Sequence, residues 1–160
     1  MPPVSEGAPA TDPFRPFRPR RGRVVALTMA VVTLLVFVGG AAISPGPVTA
    51  EAWTVGDRVT LALFGVAIAW FLLRYATIRA VPSRDGLLIR NLLMTHRLAW
   101  AQIVGLQFAG GDPWVKLDLI DTDIVAVMAI QKADGPSGRA EAARLAALVE
   151  ALGEASPDAG

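Results

Sequence analysis

The chain has no cysteine, one histidine and one tyrosine among its 160 residues. Without cysteine there are no disulfide staples, no thiol nucleophile and no thiolate metal site. The lone histidine, His96, has no cysteine to activate and falls in a predicted strand after a turn, where a structural role outweighs a catalytic one. Charge is also scarce, at 18% of residues, and the net charge of +1 makes no case for a nucleic-acid partner. No Gly-x-Gly-x-x-Gly or Gly-Lys-Ser string occurs, so Gly110-Gly111 reads as a turn rather than a phosphate cradle. Asp118, Asp121 and Asp123 gather around one turn but lack the glycine and glutamate spacing of a calcium loop. Their plainer role is local hydrogen bonding in the turn. The sequence therefore offers no catalytic residue, no metal site and no cofactor site, and the expectation is a protein that is not an enzyme.

What the chain does have is apolar length. Residues 24–43 run for twenty positions without a charge, and residues 59–73 for fifteen between Arg58 and Arg74. At the helical rise the first run spans about 30 Å, the thickness of a bilayer's hydrocarbon core. The second reaches about 22 Å between its arginines, which can snorkel, and Trp53, Trp70 and Tyr75 suit the interfaces. These runs predict a transmembrane hairpin over 23–75, with spans at about 24–43 and 55–75. A cleavable signal peptide is the alternative for the first run, given Val48-Thr49-Ala50, but the run exceeds the usual signal core. Gly39-Gly40-Ala41-Ala42 and Gly65 offer small residues for close helix packing.

Ahead of the hairpin, residues 1–22 carry six prolines and few aliphatic residues, which predicts a disordered arm. Within it, Pro13-Phe14-Arg15-Pro16-Phe17-Arg18-Pro19 repeats Pro-Phe-Arg. Its arginines read first as topology determinants and second as an anchor on anionic headgroups. Five arginines (15, 18, 20, 21, 23) precede the first span, Arg74, Arg79, Arg84 and Arg90 follow the second, and the connecting loop holds Glu51 and Asp57. By the positive-inside rule this gives a multi-pass plasma-membrane protein with both termini cytoplasmic.

From residue 76 the pattern changes to short alternating runs. Strands are predicted at 77–81, 87–92, 96–100, 103–109, 114–120 and 123–130, separated by Pro-, Gly- and Asp-containing turns. The last, apolar on both faces, is expected to be a central, well-covered strand. A helix over 137–152 places Leu145, Leu148, Val149 and Leu152 on one stripe, and residues 154–160 read as a disordered tail. The fold class expected is thus a transmembrane hairpin followed, over 76–153, by a small α+β domain, an antiparallel sheet or partly open barrel with a C-terminal helix.

Strands in a row closed by one amphipathic helix is the layout of a pleckstrin-homology (PH)-like domain. The strings Arg90-Asn91-Leu92, His96-Arg97-Leu98-Ala99-Trp100-Ala101-Gln102-Ile103, Gly111-Asp112-Pro113-Trp114 and Ala126-Val127-Met128-Ala129-Ile130-Gln131 sharpen the likeness. Over residue 24 to about 152 the chain resembles the bacterial PH domains of the low molecular weight protein antigen 6 family, small actinobacterial membrane proteins with two spans ahead of the domain. The resemblance implies a seventh strand, short or hidden near Tyr75 or Leu92. It also raises phosphoinositide binding, which in PH domains uses basic residues along the first two strands. Here Arg79, Arg84, Arg90 and Arg97 are present, but Asn91 and Leu92 break the Arg-x-Arg pattern.

Two functional readings follow. One is a binding or scaffolding module, held at the inner leaflet, that engages a protein partner or a second copy through strand edges or the 110–114 turn with its Trp114. The other is recognition of anionic lipid by the basic strand face. The candidate contact residues are Arg79, Arg84, Arg90, Arg97 and Trp114. A role for the hairpin alone, assembling within the bilayer, is a further alternative.

Overall fold

The computed structural model describes residues 12–43, 54–108 and 110–153. Two long helices come first. Helix α1 (Arg20–Ile43) and helix α2 (Val55–Ala76) lie against each other as a hairpin, and both are long and apolar enough to cross a membrane. Helix α1 begins four residues ahead of the apolar run, although its own first turn has no acidic residue. The missing acceptor comes from far along the chain: the Asp134 carboxylate accepts the backbone N–H groups of Arg20 (3.0 Å) and Arg21 (2.9 Å). A negative charge there satisfies two otherwise orphaned donors and complements the helix dipole. Helix α2 is capped locally, Thr54 accepting from the Asp57 backbone (3.2 Å) and Asp57 from that of Thr54 (2.9 Å).

Small side chains set the contact between the helices. Ala26, Ala30, Thr33 and Ala41 are buried on α1, and Gly65 and Ala69 on α2. A methyl group at Gly65 would lie 2.3 Å from the Phe37 β-carbon, so that crossing needs glycine. Gly39 and Gly40, expected to help, face open space. The larger residues, among them Leu35, Val36, Leu63, Phe64 and Trp70, point outward as an uncovered apolar belt.

Six strands follow: β1 (Arg79–Pro82), β2 (Leu87–Arg90), β3 (Thr95–Leu98), β4 (Ile103–Gln107), β5 (Trp114–Leu119) and β6 (Ile124–Gln131), then helix α3 (Pro136–Gly153). They form two antiparallel three-stranded sheets, β1-β2-β3 and β4-β5-β6. Strand β1 starts later than expected because Thr77 and Ile78 are spent on the last turn of α2, donating to Arg74 O (3.2 Å) and Tyr75 O (3.1 Å). Trp100, expected at the end of β3, sits in a 3-10 turn with its indole N–H on Ser83 O (2.9 Å). The core is built from alternate strand residues, among them Ile89, Val115, Leu117 and Val127, closed by Leu145 and Leu148 of α3.

Strand β6 ends its sheet rather than sitting at the centre. Its apolar character has another source. β1 runs alongside it, α3 packs over it, and the Asn91 side chain stands in for a ladder partner, donating to Ala126 O (2.7 Å) and accepting from Met128 N–H (3.2 Å).

The segment before α1 corrects the sequence reading most. From Asp12 onward it is part of the domain. Phe17 exchanges both backbone hydrogen bonds with Ala80 of β1 (2.8 and 3.1 Å), and its ring is 1% exposed. Pro19 is buried too. Proline spacing suggests an extended free arm, but an extended segment with one large aromatic is also suited to cover an open strand edge. The additional strand-like pairing is therefore at Phe17, whereas Tyr75 lies in α2 and Leu92 in a turn. The expectations for residues 1–11, for loop residues 44–53 with Trp53 and Glu51, and for 154–160 fall outside the described residues.

Candidate functional site

The alternation that builds the core also builds a basic pocket. In β1, Ala80 points inward and Arg79 outward; in β2, Ile89 points inward and Arg90 outward, and the register sets Arg79 opposite Arg90. Phe17 and Pro19 are buried on either side of Arg18, which turns out to the same side. Arg23 arrives from the first turn of α1. With Ala76, Thr77 and Ile78 at the exit of α2, these four arginines line a cavity of about 210 Å³.

No carboxylate of the described residues pairs with this pocket. Among the described residues the ion pairs are Arg15–Glu141, Arg144–Glu141 and Lys116–Asp112, and none uses a pocket arginine. The Arg79 Nε is buried without a hydrogen-bond partner. Like charges opposite each other on an antiparallel pair destabilise it unless a counter-charge intervenes. Four guanidinium forks around a small cavity suit an anion with several oxygens, because arginine binds phosphate and carboxylate groups through paired N–H donors.

The structure separates the five sequence candidates. Arg79 and Arg90 share the pocket. Arg84 lies in the tight turn closed by Ser83 N–H to Gly86 O (2.8 Å), at the opposite end of the hairpin. That turn depends on Gly86 for closeness, since a β-carbon there would meet Leu98 O at 2.2 Å. Arg97 is on the same sheet face as Arg79 and Arg90 but opposite Leu88, bordering a different cavity with Ser83 and Asp85. Trp114 is half-buried on the other sheet, opposite Gln131. Arg18 and Arg23 complete the pocket and were missed as contacts. Their signal was the arginine-rich stretch before the first apolar run, read first as a topology determinant and second as a headgroup anchor, and not placed beside Arg79 and Arg90.

The remaining polar candidates have local roles. Asp118 accepts from the Gln107 amide (2.8 and 3.0 Å), and Asp121 accepts the Asp123 backbone N–H (3.3 Å). Among the described residues no group of three or more acidic or histidine side chains is arranged to hold a metal. His96 borders an apolar cavity beside Leu93 and Met94.

A two-sheet domain closed by a C-terminal helix, with a basic pocket and, ahead of the domain, two helices apolar enough to cross a membrane, defines a PH-like protein class. The bacterial PH domain model matches residues 79–147. Uncharacterized protein Rv1417 of Mycobacterium tuberculosis (strain ATCC 25618 / H37Rv) and uncharacterized protein Mb1452 of Mycobacterium bovis are each 30% identical to this chain over 117 residues, covering 73% of this chain and 76% of theirs. The chain belongs to the bacterial PH domain family. No solved structure matches it. PH-like domains are typically non-catalytic. The comparisons carry the bacterial PH domain and not the narrower antigen 6 designation.

Proposed function

We propose that this chain is a non-catalytic PH-like module anchored in the plasma membrane by the α1–α2 hairpin, with both termini and the domain on the cytoplasmic side. In this reading the arginine pocket holds the phosphate of an anionic lipid headgroup. The observation that carries it is the convergence of Arg18, Arg23, Arg79 and Arg90, none in an ion pair among the described residues, where both helices join the domain. A headgroup of a bilayer crossed by α1 and α2 would lie at that level. The five arginines before the first apolar run and Arg74, Arg79, Arg84 and Arg90 after the second support the orientation, against Glu51 ahead of α2 and the adjacent Asp57 and Arg58 at its start. The antigen 6 resemblance, with two spans ahead of the domain, agrees with the same topology.

The test uses the full chain in detergent, with bound lipid counted by native mass spectrometry after addition of phosphatidylglycerol, phosphatidylinositol or phosphatidylcholine. Retention of the anionic lipids over phosphatidylcholine is expected, with inorganic phosphate competing weakly. Competition by free phosphate as strong as by the lipids points to a soluble anion instead. Equal retention of charged and zwitterionic lipid removes the proposal.

A second reading, engagement of a protein partner or another copy, is favoured by β3 and β4, each an outer strand hydrogen-bonded within its sheet on one side. Such edges accept an added strand. Partner capture lost on placing proline in β3 or β4 would support it.

A further inference from the structure

Beside the arginine pocket, the connection between β2 and β3 is an apolar hairpin tip. The Asn91 N–H donates to Met94 O (2.9 Å), so Leu92 and Leu93 alone form the turn. Tight hairpin turns ordinarily take Asn, Asp or Gly, for their backbone freedom or local hydrogen bonds. Nothing in turn chemistry selects two leucines. Leu92 packs against the core, but Leu93 is 81% exposed and Met94 65%. Ile124, 60% exposed at the start of β6, borders the same apolar cavity of about 360 Å³ because Asn91 ties β6 to this turn.

The position of the tip says what covers it. Arg90, the last residue of β2, lines the pocket together with Ala76, the last residue of α2. β1 leads away from α2, so β2 returns toward it, and the turn continues past Arg90 in that direction at about 3.3 Å per residue. We infer that Leu93 and Met94 insert into the headgroup–acyl boundary of the bilayer beside the arginine pocket, so that the domain grips the membrane through an apolar wedge as well as through the hairpin. Apolar side chains flanked by arginines match that boundary, where apolar groups bury shallowly and basic groups stay with the headgroups. Exposed leucine is by contrast under-represented among the anchors of protein interfaces. The inference rests on the membrane-anchored reading and does not require the pocket to be occupied.

The chain has no cysteine, so single cysteines label uniquely. Full-length Leu93→Cys and Met94→Cys, carrying an environment-sensitive fluorophore, are reconstituted into liposomes containing nitroxide lipids. Leu63→Cys on the outer face of α2 reports the span, and Asp85→Cys in the β1–β2 turn reports the far end of the domain. The expected result is blue-shifted emission at 93 and 94 with quenching strongest by shallow nitroxides, quenching at 63 by deep ones, and none at 85. If 63 is quenched while 93 and 94 behave like 85, the wedge is wrong and the anchor stands. A blue shift at 93 without lipid quenching means protein covers the tip, which also overturns the inference. If 63 is not quenched, the membrane-anchored reading fails and takes the wedge with it.

Discussion

The Arg144 guanidinium of α3 lies 3.7 Å from the centroid of the Phe17 ring, joining the segment before the hairpin to the helix that closes the domain. The same guanidinium donates to the carbonyls of Pro13 (2.7 Å) and Arg15 (2.9 Å) and to the Glu141 carboxylate, which also pairs with Arg15. The domain is therefore discontinuous in sequence, with α1 and α2 inserted between Phe17 and Ile78. Both ends of the hairpin are fixed to it, α1 through Asp134 and α2 through the Gln131 amide on the Tyr75 hydroxyl (2.8 Å).

Phe17→Ala opens a core cavity beside Ala80 and is expected to cost about 3–5 kcal/mol, the usual penalty for deleting a buried aromatic. Arg144→Ala removes charge-assisted hydrogen bonds and the ring contact together, and is expected to cost about 2 kcal/mol. Denaturant unfolding of the full chain measures both. As a corollary, a soluble piece of residues 76–153 lacks the Phe17 cover, and is expected to be less stable than one with residues 12–19 restored through a short linker. Equal stability of the two pieces would contradict this.

Within the hairpin, Gly65→Ala forces α2 away from Phe37, whereas the β-carbon of Gly39→Ala has nothing within 4 Å. Thermal melting in detergent should fall for the first variant and stay unchanged for the second. The opposite order would mean that the helices cross elsewhere.

Asp134→Ala removes the acceptor for two backbone donors and the favourable charge at the start of α1, a loss of about 1 kcal/mol by analogy with other caps. The local readout is hydrogen exchange, with the Arg20 and Arg21 amides exchanging faster while β-sheet amides keep most of their protection.

Thr122 holds a positive φ of 70° in the β5–β6 turn, a conformation costly for a β-branched residue. Thr122→Gly should stabilise the domain by about 1 kcal/mol through relief of that strain. Chemical denaturation decides the sign.

Much of this architecture was legible because it is local. Continuous apolar runs mark α1 and α2, alternation of inward and outward residues marks β1 to β5, a short apolar run marks β6, and an i, i+3, i+4, i+7 stripe marks α3. What was hidden depends on contacts distant in sequence. Nothing near Phe17 shows that Ala80 and Arg144 will enclose it, and nothing near Arg20 shows that Asp134 will cap its helix. An apolar run like that of β6 looks the same whether a neighbouring strand or a junction between sheets covers it. The pocket was half legible: strand alternation exposes Arg79 and Arg90, but only the docking of the first segment brings Arg18 and Arg23 to them. Arg84 and Arg97, equal to these on charge alone, are separated from the pocket by register.

The most direct test of the central claim compares two charge-matched variants of the full chain. Arg79→Gln with Arg90→Gln empties the pocket of its two strand arginines, and Arg84→Gln with Arg97→Gln removes equal charge elsewhere on the domain. Affinity for phosphatidylglycerol, measured in mixed micelles at fixed salt, is expected to fall about tenfold or more for the first pair, equivalent to about 1.4 kcal/mol, and to change little for the second. Equal losses would mean that the basic surface attracts lipid without a site, and no loss in either would contradict headgroup binding altogether.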